Sequence, residues 1–375
     1  IGRGAFYGGS SLVSVTFGDG LQTIGDAAFF KCSSLASVAF PVGLQTIGSY
    51  AFWGCRSLAS VTFPVGLQTI GESAFYGCSS LASVVLPDAL QTIGNSAFSE
   101  CSSLASVTFP DALQTIGGWA FEGCSSLVSV AFPDALQTIG GHAFEGCISL
   151  ASVTFPDTLE TIGNSAFEGC RSLATVTLPA GLTTIEYGAF KKCSSLASVT
   201  FPETLTSIDN YAFFWCSSLA SVTFPDALHT IGYRAFFWCF SLASVAFGDG
   251  LQDIGESAFG GCPYVIIFCR PGLTIPDFPE ERVVNRTVHV ALTAFLDAAL
   301  SARRPEGLMR YAMRNRLGGR MSLLVARASI DTNRPTLADL RQAIADIEHE
   351  ATRRKIKGWA LAKLRDVDVH EYGGL

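Results

Sequence analysis

A period of 23 residues constrains this chain more than anything else in it. Leu21, Leu44, Leu67, Leu90, Leu113, Leu136, Leu159, Leu182, Leu205, Leu228 and Leu251 follow one another at that interval. Cys keeps the same step from Cys32 to Cys262, with Gly9 where the first would stand, and so does the pair from Ala28-Phe29 to Ala258-Phe259. One unit of this length cannot cover its own apolar side chains, so successive units must stack and bury them against each other. Stacking makes residues 23 positions apart neighbours in space, and the identity of every inner and outer face depends on that.

Within a unit, Ser37-Val38-Ala39-Phe40 alternates between outward and inward positions, the pattern of a half-buried strand. Pro41 ends it, because proline cannot donate to a ladder. Leu44-Gln45-Thr46-Ile47 is a second short extended piece, and Gly48 supplies the bend after it, replaced by Glu186 and Asp209 in two coils. Leu, Val, Phe, Leu, Ile, Ala, Phe and Cys of each unit are expected to point inward. Parallel strands of successive coils are expected about 4.8 Å apart.

The unit Leu35-x-x-Val38-x-Phe40-Pro41-x-x-Leu44-x-x-Ile47-Gly48-x-x-Ala51-Phe52-x-x-Cys55 resembles the BspA-type leucine-rich repeat. The resemblance covers residues 1–275, about eleven coils. It implies a curved solenoid used for adhesion or protein binding, often at a cell surface, with a protein or cell-surface ligand as partner. It brings no catalytic residue and no cofactor.

Charge separates the repeats from the C-terminal segment. Residues 1–262 hold 7 Lys/Arg against 19 Asp/Glu, a balance of −12, while residues 263–375 hold 18 against 13, a balance of +5. So sharp a shift marks a domain boundary. Apolar spacing over Val288, Leu292, Phe295 and Leu296, and later over Leu337, Leu340, Ile344 and Ile347, reads as helix, so 276–375 is expected to be an α-helical segment. This basic tail is expected to dock on the acidic solenoid or to form a small bundle. Its basic residues are interspersed with acids, which argues against nucleic acid as a partner. No apolar run reaches the roughly 18 residues needed to span a bilayer. The chain opens within a repeat and without Met, so an N-terminal part is expected to precede Ile1.

Eleven of the twelve Cys hold one internal position per coil. No C-x-x-C pair occurs, and metal sites need ligands converging from several positions, so a ladder of buried thiols is expected rather than a metal site. Catalysis needs a nucleophile, a base and an orienting group brought together, and here Ser and Thr recur only as uniform ladders.

Four positions vary or repeat in ways that mark the surface. The residue before the strand Val is Ser or Thr in all eleven strands from Ser14 to Ser244, and Thr follows that Val in seven. Such a hydroxyl face would suit ice or another crystalline surface, although Ala39, Val85, Ala131 and Ala246 interrupt it. Stacked Gln and Thr, from Gln22-Thr23 to Gln137-Thr138, are expected to hydrogen-bond between coils through their side chains. The position after Ala-Phe takes Tyr7, Phe30, Trp53, Tyr76, Ser99, Glu122, Glu145, Glu168, Lys191, Phe214, Phe237 and Gly260. Residues so unlike are expected to be exposed, as two aromatic strips with an acidic strip of Glu122, Glu145 and Glu168 between them. Trp215 and Trp238 reinforce the second strip, and near the Ile-Gly bend Tyr50, Trp119, His142, Tyr187, Tyr211 and Tyr233 vary without order. Exposed aromatic groups bury much area at small entropic loss. Phe30, Trp53, Tyr76, Trp119, Phe214, Trp215, Phe237 and Trp238 are therefore the expected partner contacts. The competing expectation is a mainly structural surface array, with no dedicated ligand.

Overall fold

The computed structural model describes residues 1–269 and 273–276, together with the backbone of 283–285. The chain divides into two compact units, Ile1–Tyr264 with Thr274–Asp277, and Val265–Leu273 with Phe278–Leu375.

The first unit is a stack of eleven coils, each carrying a three-residue strand and a two-residue strand. Coil 1 has Ser14–Thr16 and Thr23–Ile24; coil 7 has Ser152–Thr154 and Thr161–Ile162; coil 11 has Ser244–Ala246 and Asp253–Ile254. Pairing is parallel and in register at the sequence period: Val15 lies opposite Val38, and Ile24 opposite Ile47. Alternation explains the strands, since in Ser60–Thr62 the two hydroxyl residues face outward and the central Val is buried. No helix occurs among the described residues.

The inward set is the one the periodicity implies. Leu44, Ile47, Ala51, Phe52, Cys55 and Leu58 are all fully buried, as are their counterparts through the middle coils. Burying one such large apolar side chain stabilises by about 1.5–3 kcal/mol, so the coils hold each other chiefly through these ladders. The Phe of each Ala-Phe pair stacks on the next with centroids 5.0–5.6 Å apart and planes within 12°. In the seven coils where Phe precedes the strand-ending Pro, it meets that ladder edge-on, as Phe40 does Phe52 at 5.7 Å.

Backbone bonds complete the stack. Gln45 N donates to Gln22 O at 2.9 Å and Gly48 N to Ile24 O at 2.8 Å. The Gln rank therefore connects coils through its main chain, and the side-chain bonds between coils at these positions lie beyond the expected stretch, at Thr206 to Thr183 O and Ser207 to Thr184 Oγ1, both 3.0 Å. Gly at the bend answers to close approach: a Cβ on Gly71 would stand 2.6 Å from Ser49 N.

In the second unit, Ile266–Cys269 pairs in parallel with Val283–Asn285, Ile267 lying opposite Val283. This corrects the expectation of an all-helical 276–375. Adjacent β-branched residues at 283 and 284 favour an extended backbone. The helices expected from residue 288 onward, and the docking of the tail, lie outside the described residues.

Candidate functional site

Each coil turns at two residues in the left-handed region. The first, just before Ala-Phe, is held by Tyr50, Trp119, His142 and Tyr211 among others. The second, just before Cys, is Gly in seven coils, with φ from 67° to 74°. Lys31, Glu100, Lys192, Trp215 and Trp238 replace it at φ 56–61°. A left-handed residue with a Cβ costs about 1–2 kcal/mol, and such strain concentrates where a side chain is needed for something else. All five replacements fall on the edge that carries the variable position.

Near the N-terminus that edge is a tight stack. Tyr7 and Phe30 lie 4.7 Å apart, Phe30 and Trp53 4.6 Å, and Trp53 and Tyr76 5.4 Å, with planes within 12°. Lys31 Nζ stands 5.5 Å from the Phe30 ring and 5.3 Å from Trp53. Phe30, Trp53 and Tyr76 are half-buried, and their faces are turned to one another.

The expected acidic strip is not one exposed surface. Ser99 is fully buried and donates to Glu122 Oε2 at 3.0 Å. Burial pushes the Glu122 carboxyl up, the Ser99 bond opposes this, and the neighbouring charges of Glu145 and Glu100 push it further up. Glu145 pairs with His142 Nδ1 at 2.7 Å, and that imidazole lies flat on Trp119 at 4.9 Å. Glu168 corrects the expectation outright, being only 8% exposed. Lys191 and Lys192 reach its Oε1 at 3.1 and 3.0 Å, and Ser165 donates to Oε2 at 3.1 Å. Burial alone would raise this carboxyl, but the two lysines outweigh it and hold it below the usual range. The reason is the following coil: Lys occupies both edge positions there, so the acid can be buried as a pair.

The second aromatic region is built differently. Trp215 and Trp238 are 43% and 38% exposed, 5.3 Å apart and nearly perpendicular. Phe214 stacks on Phe237 at 5.8 Å and meets Trp238 at 5.6 Å. Tyr211 joins Phe214 at 5.5 Å and Tyr233 at 5.4 Å, and Tyr187 meets Tyr211 at 5.5 Å. The Arg234 guanidinium lies 4.8 Å from both Tyr233 and Phe237. Two variable positions that look unrelated in sequence thus merge into one aromatic surface. Beneath it, a Cβ on Gly261 would collide with the Trp238 indole, so that glycine seats the ring.

Of the expected contacts, the structure brings Phe214, Trp215, Phe237 and Trp238 together. It places Phe30, Trp53 and Tyr76 in the stacked ladder, and leaves Trp119, 44% exposed, on His142. Sequence reasoning passed over Lys31 and Arg234. Lys31 had a readable signal, since it replaces a glycine that most coils keep; Arg234, beside Ala235-Phe236, had none.

The thiol ladder has a feature that its spacing does not disclose. All eleven ladder thiols donate to a Phe carbonyl in the preceding coil at 3.1–3.3 Å, as Cys55 does to Phe29 O. All twelve Cys are buried, and the ten from Cys32 to Cys239 form no disulfide. Burial pushes Cys55, Cys101 and Cys147 up to about 12. They are neutral, inert donors, since reactivity belongs to the thiolate.

A shallow depression of about 390 Å³ lies on the Thr-Ile face around Thr184, Ser207, Asp209, Asn210, Tyr233 and Asp253. Its lining sets the carboxylates of Asp209 and Asp253 among the hydroxyls of Thr184, Ser207 and Thr230. Among the described residues no group of three or more His, Cys, Asp or Glu is placed to hold a metal ion, and no helix is long and apolar enough to cross a membrane.

Comparison with known proteins agrees with this architecture. The model of the BspA type leucine rich repeat region matches in six copies, over residues 1–128, 91–213 and 137–266. A leucine-rich repeat protein from Bacteroides ovatus is 29% identical with a TM-score of 0.52, over 72% of this chain and 81% of its own. The pneumococcal vaccine antigen PcpA is 19% identical with a TM-score of 0.51, over 78% and 89%, a likeness of fold alone. A leucine rich cell surface protein from Faecalibacterium prausnitzii is 26% identical with a TM-score of 0.49, over 75% and 84%. Curated protein sequences contain no match.

Proposed function

This chain belongs to the BspA-type leucine-rich-repeat family, and from that premise we propose that it is a non-enzymatic binding scaffold. Its principal contact surface is the cluster of Tyr211, Phe214, Trp215, Tyr233, Phe237 and Trp238. The observation that carries this reading is the pair of half-exposed tryptophans in left-handed backbone where seven coils keep glycine. Packing of the coil does not require them there, since the glycine coils stack equally well. Large amphipathic rings in a raised cluster are the common anchors of protein interfaces. The partner is therefore a protein, met at a cell surface in the adhesive setting that the family resemblance implies. The acidic repeats disfavour nucleic acid by charge.

The test uses W215G/W238G, which restores the residue most coils carry, so the backbone is relieved as the rings are removed. Partners captured from cell-surface extracts by the parent should be lost from this variant and kept by W53A. An unchanged partner set would return the weight to a structural array without a dedicated ligand.

A further inference from the structure

The coils are not equally fastened. The three-residue strands pair in groups, coils 1–3, 4–5, 6–7, 8–9 and 10–11, while the two-residue strands pair through coils 1–7 and again through coils 8–11. One junction is therefore unpaired on both faces: that between coil 7 and coil 8, whose strands are Thr175–Thr177 and Thr184–Ile185.

Three further observations fall at the same place. Glu186 occupies the bend that nine other coils give to Gly. A Cβ on Gly163, its counterpart in coil 7, would already come within 2.6 Å of Gly141 N. Asp209 makes the same replacement one coil later and keeps its bond to Ile185 O at 2.8 Å, so the Cβ alone does not open the ladder. The Phe167–Phe190 step, 5.6 Å, is the widest in the buried Phe ladder. Ala174 N reaches Ala151 O only at 3.4 Å, a length that Val128 N to Ala105 O shares at the coil 5–6 junction, where the two-residue strands stay paired.

On the strand side the bonds ahead of Thr175–Thr177, Ser172 N to Ile148 O at 3.2 Å and Ala174 N to Ala151 O, still cross the junction, and the shorter bonds that span it lie on the turn side. Ser165, Phe167 and Gly169 donate to Tyr187, Ala189 and Lys191 carbonyls at 2.7, 2.9 and 2.8 Å. The Glu168 pair with Lys191 and Lys192 crosses the same gap. We propose that this junction is an articulation: the solenoid opens between coils 7 and 8 on its strand faces, pivoting on the turn side, where the Glu168 clamp limits the movement. The stacked aromatic ladder and the His142–Glu145 pair ride on one side, and the Trp215–Trp238 cluster on the other. Opening changes the separation of these surfaces without disturbing either.

Amide hydrogen exchange on the full chain tests this. Ser207 and Asp209 donate to Thr183 O at 3.2 Å and Ile185 O at 2.8 Å, so their amides are the internal reference. Thr184 and Glu186 amides should exchange at least tenfold faster than these two. E186G should slow them toward the reference. E168Q should speed Ser165, Phe167 and Gly169 several-fold and leave the same positions of coil 6 unchanged. If Thr184 and Glu186 in the parent are as protected as Ser207 and Asp209, and E168Q leaves the turn amides unmoved, there is no articulation at this junction.

Discussion

Trp53 and Trp215 stand one residue apart in the repeat, and the contrast between their surroundings shows how a solenoid makes a surface. In the N-terminal region the ring sits directly after Ala-Phe and the next residue is Gly54 or Gly77. With no second ring at the edge, only the Lys31 ammonium, Phe30, Trp53 and Tyr76 lie flat on one another and fill their own faces. In the second region, Phe214 and Phe237 hold that position and a tryptophan replaces each following glycine. The added ring cannot join a flat stack, so Trp215 meets Trp238 nearly at right angles and both keep open surface. Aromatic residues in a repeat therefore become either a seam between coils or a platform for a partner. Whether a second ring occupies the neighbouring position decides which.

Both regions rest on the same thiol ladder, and titrating it gives the largest expected effect. Folding holds nine thiols from Cys55 to Cys239 above their ordinary value of 9.0. Below pH 9 each is neutral in both states and stability is intact. Above it the unfolded chain loses protons that the folded chain keeps. Stability then falls by about 1.4 kcal/mol per pH unit for each thiol until its folded value is passed, about 12 for Cys55, Cys101 and Cys147. Unfolding followed by circular dichroism should thus set in steeply between pH 9 and 11, and replacing Cys101, Cys124 and Cys147 with Ala should flatten the slope. If the two aromatic regions unfolded in separate alkaline transitions, they would not share a core.

A smaller effect separates the regions. W53A removes the middle of a stack and should cost about 2–3 kcal/mol in urea unfolding. W215G loses ring contacts but relieves a left-handed backbone, and should cost under about 1 kcal/mol. Equal losses would mean that Trp215 is a seam as well. Smallest of all, K31G deletes the ammonium beside Phe30 and Trp53, worth about 0.5–1 kcal/mol, and should shift urea unfolding only slightly.

Much of this was legible in the repeat itself. Leu44, Ile47, Phe52 and Cys55 could be placed inside, and Val38 on a strand, because a position that never changes over eleven stacked coils can only face its own copies. The surface was legible only in part. Variation marks Glu122 and Glu168 alike as edge positions, yet Glu168 is buried because both Lys191 and Lys192 reach it from the next coil. Such burial depends on two coils together, which a single-coil pattern does not register. The perpendicular setting of Trp215 and Trp238 depends on backbone handedness at one residue, and that too is invisible to hydropathy. The lost pairing between coils 7 and 8 had one outward sign, Glu186 in a glycine's place, and that sign is shared by Asp209, where pairing survives.

Tryptophan quenching by acrylamide in chains that keep one ring each, the others changed to Phe, tests the contrast most directly. We expect Trp215 and Trp238 to be quenched several-fold more strongly than Trp53, whose faces are held between Phe30 and Tyr76. Equal quenching of the three would contradict the distinction between seam and platform, and with it the assignment of the contact surface.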